Sequence, residues 1–200
     1  RAAILNPLLL GIAIVMAALK IFHVNYASYL EGAKYISYFL TPATVCLALP
    51  LYRQMRFLKK NFYAAAAGVF FGTLSSLLLV FLTAKMFRLN QQEYVTILPK
   101  SITTAIGLEI SDELGGTAAV TAAVIILTGI WGGVIGEMVF RRLKIEDPLA
   151  KGIALGTSAH AIGTVKAMEM GKEEGAASSF AIAASGLITV VLAPIFAKLI

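Results

Sequence analysis

Three long apolar runs constrain the fold of this chain more than any other feature of its sequence. They cover about residues 62–84, 117–140 and 176–200, and each is continuous rather than alternating in polarity at every second residue. An α-helix needs about 20 apolar residues to cross a lipid bilayer, whereas barrel strands are shorter and alternate. Because backbone groups cannot remain unpaired in lipid, the runs predict an all-α integral membrane protein, a helical bundle.

The composition supports this class and argues against others. Hydrophobic residues make up 58% of the 200 residues and charged residues 14%, whereas a soluble domain typically has about 25% charged residues. The net charge of +6 comes from short basic clusters between apolar runs, which is typical of orienting loops and not of a nucleic-acid interface. With two further apolar runs, at about 4–22 and 35–52, the sequence predicts a single transmembrane domain over residues 1–200.

Two polar segments interrupt the apolar pattern, at residues 97–116 and 152–171. They are related to each other, because a shift of 56 positions aligns SITTAIG at 101–107 with TSAHAIG at 157–163. Each segment ends near a glycine and leads into an Ala-rich apolar helix. A repeat of interrupted polar segments in a membrane protein indicates a transporter binding site.

The basic loops predict how these segments lie in the membrane. Arg53–Lys60 carries four positive charges without an acid, and Arg141–Lys151 is the second basic loop. The positive-inside rule places both loops in the cytoplasm of a multi-pass protein of the cell inner (cytoplasmic) membrane. Both loops are cytoplasmic only if 97–116 enters the membrane and returns. The sequence therefore predicts two opposed re-entrant hairpins, with unwound crossing helices as the alternative.

The chemistry of these segments suggests a site for a small carboxylate. Hydroxyl groups and backbone N–H groups at helix N-termini attract anions, and cations add to the attraction. An ionisable group at membrane depth is a candidate functional residue by default. The alternative is that the hydroxyl groups only cap broken helices. The candidate binding residues are Lys100, Ser101, Thr103, Thr104, Thr157, Ser158 and His160.

Three charged residues, Glu109, Asp112 and Lys166, are candidates for ion coupling. Histidine occurs only at His23 and His160, and CxxC and HExxH motifs are absent, so neither a metal site nor a cofactor is expected. A nucleophile–base pair is not visible either, which argues against an enzyme. The close spacing of Gly68 and Gly72 permits either a dimer face or ordinary packing inside the bundle.

In its two interrupted segments the chain resembles the LrgB/CidB family. The resemblance rests on LPKSITT at 98–104, on Gly115 with Gly116, and on ALGTSAHAIGT at 154–164 followed by Lys166. It adds Thr164 to the candidate binding residues. Relatives usually have one more span before the Asn6–Pro7 pair, so this chain is expected to lack one N-terminal span. Relatives often have Pro after the Thr–Thr pair, where this chain has Ala105.

The resemblance implies a fold similar to cation/anion antiporter-type transporters with inverted repeats. It also implies two functions. One is a holin/antiholin-like protein that regulates murein hydrolase export and cell lysis together with a small LrgA/CidA-like membrane partner. The other is a secondary transporter of small monocarboxylates, of the pyruvate or glycolate type, because the plastidial glycolate/glycerate translocator is similar to LrgA fused to LrgB. We favour the transporter, since a simple pore needs neither a buried histidine nor matching interrupted segments.

Overall fold

The structure is a computed structural model and describes residues 7–46 and 48–200. These residues form α-helices and turns, without a strand, which confirms the predicted all-α class. Three of the helices are long and apolar enough to span a membrane. The helices in chain order are α1 (Pro7–Ile21), α2 (Tyr26–Ser37), α3 (Leu40–Cys46), α4 (Ala48–Arg53), α5 (Met55–Lys60), α6 (Phe62–Phe87), α7 (Gln91–Ile97), α8 (Thr104–Glu113), α9 (Ala118–Leu143), α10 (Pro148–Met170) and α11 (Lys172–Phe196), followed by a 3-10 turn at Ala197–Leu199.

The chain divides into two compact units, Arg1–Leu47 and Ala48–Ile200. The first unit contains α1, which lies within the predicted span 4–22, and then α2 and α3. The predicted span 35–52 differs from the structure, because α2 ends at Ser37 and α3 begins at Leu40. A single continuous helix therefore does not cover that run.

The second unit is built around three long helices, and their ends are encoded locally. The C-cap residues Arg88 after α6 and Lys144 after α9 each have the left-handed conformation that commonly closes a helix. Helix α10 begins with Pro148 in its first turn and with the Asp147 side chain accepting from Ala150 N–H. The predicted spans 62–84, 117–140 and 176–200 correspond to α6, α9 and α11 within a few residues.

Helix α10 is not straight but folds back on itself as a hairpin. His160 has φ 42° and ψ −133°, which is not helical. In a continuous helix, residues eight apart are separated by about 12 Å along the axis, yet a Cβ on Gly163 would collide with the carbonyl oxygen of Leu155. The two arms, residues 148–159 and 161–170, therefore lie side by side with His160 at the tip.

Helices α7 and α8 form the corresponding hairpin of the first interrupted segment. The break is a turn at residues 98–103, and Pro99 is buried in it. At the open end, the backbone N–H of Thr117 donates to Thr96 Oγ1 (2.9 Å), and Thr121 Oγ1 donates to the Thr96 carbonyl (2.8 Å). The segment thus leaves the bundle on the side where it entered.

The two hairpins enter from opposite ends of α9, and their tips meet near its middle. From the first hairpin, Ser111 contacts Thr121 and Gly107 packs against Ile125. From the second hairpin, Leu155 packs against Gly136, Ala159 against Gly132 and His160 against Gly129. The order of these contacts along α9 is that of two opposed hairpins, as the basic loops predicted.

The glycines of α6 serve packing inside this unit. A Cβ on Gly68 would lie 3.3 Å from Ile153, and a Cβ on Gly72 would lie 3.2 Å from the Thr157 hydroxyl. Both glycines therefore face α10. Of the two readings of their spacing, the structure supports packing within the bundle.

Candidate functional site

A small cavity, called the hydroxyl cavity below, lies where the two hairpin tips meet, and its lining also includes the apolar residues Leu77, Leu98, Pro99 and Ile102. Its volume is about 10 Å³, which suits one water-sized ligand. Apolar clusters flank it, one around Tyr94 and Leu98 and the other around Val69 and Ile153. Six hydroxyl residues from α6, α10, α11 and the first tip line the cavity: Thr73, Ser76, Ser101, Thr157, Ser185 and Thr189.

Lys100 brings a positive charge to the first tip. Its Nζ donates to Ser101 Oγ (2.8 Å) and Ser76 Oγ (3.4 Å), and the two serine oxygens are 3.0 Å apart. The side chain is half-buried and forms no ion pair with any residue that the structure describes. The ammonium group is thus held by neutral oxygen atoms alone, although a charge away from water is stable mainly when it is paired.

Lys100 also lines a larger groove, which has no lining residue in common with the hydroxyl cavity. The groove has a volume of about 530 Å³ and runs along α9 and the first arm of α10. Its walls are mostly apolar and include the exposed Trp131, while Ser158 adds a hydroxyl group beside Lys100. A small molecule in this groove would thus lie beside the Lys100 side chain.

His160 holds the second tip against α9. Its buried Nε2 lies 2.8 Å from the Ile125 carbonyl oxygen, so this nitrogen carries the proton and donates. The ring occupies a notch that exists because residue 129 is glycine, since a Cβ there would lie 2.6 Å from Nε2. Thr164 Oγ1 then donates to the His160 carbonyl (3.0 Å) and contacts Ser178 Oγ (2.9 Å). These bonds stabilise the positive φ of His160, a backbone conformation that is strained for every residue except glycine.

The remaining predicted hydroxyl residues do not act as helix caps. Thr103 precedes α8 but its side chain makes no capping hydrogen bond, so the capping interpretation is wrong for this residue. Thr157 Oγ1 donates to the Ile153 carbonyl (2.8 Å) and Ser158 Oγ to the Ala154 carbonyl (2.6 Å), both within the first arm of α10. Thr104 is the first residue of α8.

The candidate coupling residues lie away from the cavity. Glu109 and Asp112 are exposed on α8, the returning arm of the first hairpin. Lys166 bridges Glu137 Oε2 (3.3 Å) and Glu169 Oε2 (3.2 Å), and Glu137 also pairs with Arg141, four residues further along α9. Within the described residues, no group of three His, Cys, Asp or Glu side chains could hold a metal ion.

Four residues of the cavity were missed by the sequence analysis, because they lie in runs treated as plain spans. Thr73 and Ser76 are three residues apart near the middle of α6, and Ser185 and Thr189 are four apart on α11. Such pairs lie on one face of a helix. Hydroxyl pairs at this spacing, deep in two apolar runs, were the available signal.

Together these features define a class: an all-α membrane protein whose two opposed broken-helix hairpins meet around hydroxyl groups and a lysine. The chain belongs to the LrgB-like family, whose sequence model matches residues 1–199. It is 41% identical over 191 residues to the holin-like protein CidB of Staphylococcus aureus, covering 96% of this chain and 83% of that protein. It is 37% identical over 195 residues to the antiholin-like protein LrgB of Bacillus subtilis, covering 98% and 84%. No solved structure matches the chain.

Proposed function

We propose that this protein is a secondary transporter of small monocarboxylates, of the pyruvate or glycolate type, and that it acts with an LrgA-like partner. The observation that carries the proposal is the Lys100 ammonium group, which lies at the meeting point of the two hairpins without a carboxylate partner in the described chain. A monocarboxylate would supply the missing countercharge. The Ser76 and Ser101 hydroxyl groups and the unwound backbone at 98–103 complete a polar surface around it.

The groove beside Lys100 supports the proposal, since it leaves the ammonium group accessible, next to Ser158. A gated site between two hairpins also suits alternating access, in which two parts of a bundle move around a fixed midplane site. The arrangement does not resemble a permanently open pore, because the cavity between the tips admits only about one water-sized ligand.

The distribution of basic residues supports a cytoplasmic position for the base of the second hairpin. Helix α5 packs against α6 and α11 at the end where α10 begins, so the two basic loops lie at one end of this unit. The lysines and arginines of this end are Arg53, Arg56, Lys59, Lys60, Arg141, Arg142, Lys144, Lys151 and Lys172. The other end has Lys85, Arg88 and Lys198, so the positive-inside rule favours this orientation in the inner membrane.

Uptake of labelled pyruvate and glycolate into proteoliposomes tests the proposal, with and without the LrgA-like partner. We expect saturable uptake, and a loss of about tenfold or more in Lys100→Met, because an ionic hydrogen bond to the substrate is removed. Ser101→Ala should weaken uptake less. Lys198→Met is the matched control, since this lysine is exposed at the far end of α11.

A second candidate function comes from the relatives, which are named holin-like and antiholin-like. In this reading the protein regulates murein hydrolase export and cell lysis. Release of a bulky dye from the same proteoliposomes, without saturable carboxylate uptake under any condition, would favour it. Equal uptake by the wild type and Lys100→Met would contradict the proposal that Lys100 binds the carboxylate.

A further inference from the structure

The hydroxyl cavity contains one buried group that the structure leaves without a partner. Thr73 Oγ1 is the buried side-chain oxygen or nitrogen that lacks a hydrogen bond among the described residues, and only 3% of Thr73 is exposed. Buried hydroxyl groups of helices commonly donate to a carbonyl one turn earlier, as Thr157 and Thr189 do. Thr73 does not, and its oxygen lines the cavity. A ligand in the cavity is therefore expected to contact it.

The other hydroxyl groups determine which ligand the cavity suits. Thr157 Oγ1 donates to the Ile153 carbonyl (2.8 Å), Thr189 Oγ1 to the Ser185 carbonyl (2.7 Å) and Ser185 Oγ to the Ile182 carbonyl (3.3 Å). Because a hydroxyl group has one proton and two lone pairs, these three oxygens have only lone pairs left for the cavity. Thr73 keeps its own proton as well as its lone pairs, but these three neighbours present only acceptors to the cavity, which favours a cation or a hydrogen-bond donor.

We propose that this cavity is a binding site for a monovalent cation of the size of Na⁺, coordinated by the hydroxyl oxygens of Thr73, Thr157, Ser185 and Thr189. The volume of about 10 Å³ is at the lower limit for one water molecule, so the cavity admits at most one small ligand, and a dehydrated Na⁺ is smaller than water. Divalent hard cations prefer carboxylate ligands, and the cavity is lined by none. Unwound backbone of the kind found at 98–103 is a recurrent source of Na⁺ ligands in transporters.

Lys100 makes the cation site dependent on the anion. Ser76 and Ser101 line the cavity and also accept from the Lys100 ammonium group, so the two positive charges would be near neighbours. An anion bound to Lys100 removes this repulsion. In this respect the inference rests on the proposed function: the carboxylate and the cation each raise the affinity for the other, which couples their transport.

Binding of radiolabelled Na⁺ to the purified full-length protein tests the inference. We expect saturable binding that K⁺ and choline displace poorly, at least tenfold weaker in Thr73→Val and in Thr189→Val. Thr83→Val is the matched control, because Thr83 lies on α6 outside the cavity and donates to the Leu79 carbonyl (2.6 Å). The rise in melting temperature with Na⁺ should be largest in the wild type and Thr83→Val and smallest in Thr73→Val and Thr189→Val. The melting transition itself shows that each variant is folded.

Lys100→Gln separates this inference from the proposed function. Without the ammonium charge, Na⁺ should bind at least tenfold more tightly, and pyruvate should no longer strengthen its binding. Tighter Na⁺ binding in this variant, with no effect of carboxylates on the wild type, supports the cation site and rejects the carboxylate site. No saturable Na⁺ binding in either the wild type or Lys100→Gln means that the cavity holds water only, and it overturns the inference.

Discussion

The two hairpins occupy equivalent positions along α9, yet their polar groups are used differently. At the first tip, Lys100 and Ser101 are bonded to each other and to Ser76, and Lys100 and Ser101 line the groove and the cavity respectively. At the second tip, the His160 ring is bonded to the backbone of α9. The first tip therefore presents its polar groups to ligands. At the second tip, the histidine side chain stabilises a strained turn.

This difference teaches that a repeat in sequence need not be a repeat in chemistry. In the first hairpin the helix is interrupted by a six-residue turn that contains Pro99. A turn of this length can reverse the chain without a stabilising tertiary hydrogen bond. The second breaks at a single residue, so a tertiary contact has to stabilise it. Substitutions in the second hairpin should change stability most, and substitutions in the first should change binding most.

The largest effect is expected for Gly163→Ala, which tests how tightly the second hairpin closes. A new Cβ would collide with the Leu155 carbonyl and Ala159, and backbone cannot rotate away as a flexible side chain can. We expect a loss of about 3 kcal/mol in the free energy of unfolding, measured by denaturation in detergent. Gly133→Ala is the control, because its Cβ would make an ordinary 3.4 Å contact with Ile162. Equal stability of the two variants would contradict the hairpin.

His160→Ala ranks next and tests whether the histidine holds the second tip. The variant leaves a cavity beside Gly129 and removes the bond to the Ile125 carbonyl, so a loss of about 2 kcal/mol is expected. His23→Ala is the matched control, since His23 also has a positive φ of 51° but is exposed. A histidine that acts mainly on substrate would give the reverse pattern: unchanged unfolding and lost uptake.

Much of this architecture could be predicted from the sequence, because it depends on the length of apolar runs, the charge of loops and a repeat along the chain. Run length determines the three long helices, and the basic loops with the repeat predict opposed hairpins within 97–116 and 152–171. The observed breaks, at 98–103 and at His160, lie within these two segments.

The rest of the site depends on contacts between distant residues. His160 bonds a carbonyl 35 residues away, which leaves no trace in its neighbours along the chain. Thr73, Ser76, Ser185 and Thr189 looked like ordinary residues of membrane helices, where hydroxyl groups bond to their own backbone. Only the packing of α6 and α11 against both tips brings them to one cavity.

A smaller effect is expected for Thr73→Val, and it tests the contrast between groups that hold the fold and groups that face a ligand. In buffer without Na⁺, the variant should be more stable than the wild type by about 1 kcal/mol, because an unpaired buried hydroxyl group is replaced by a methyl group of similar shape. Saturating Na⁺ should remove or reverse this advantage, as seen in melting temperatures. A less stable variant in Na⁺-free buffer would mean that Thr73 has a structural partner.

The smallest effect is expected for Lys166→Met, which concerns the returning arms of the hairpins rather than their tips. Lys166 ties the second hairpin to Glu137 of α9, with 28% of the lysine side chain and 40% of the Glu137 side chain exposed. Pairs this open to solvent contribute about 0.5 kcal/mol, and added salt screens them. We expect a loss of that size in unfolding free energy at low salt, shrinking as salt is raised, against Lys172→Met as the control on the exposed start of α11. A loss of about 2 kcal/mol or more that salt does not reduce would place Lys166 among the groups that hold the second hairpin, and would extend the structural role of that hairpin from its tip to its base.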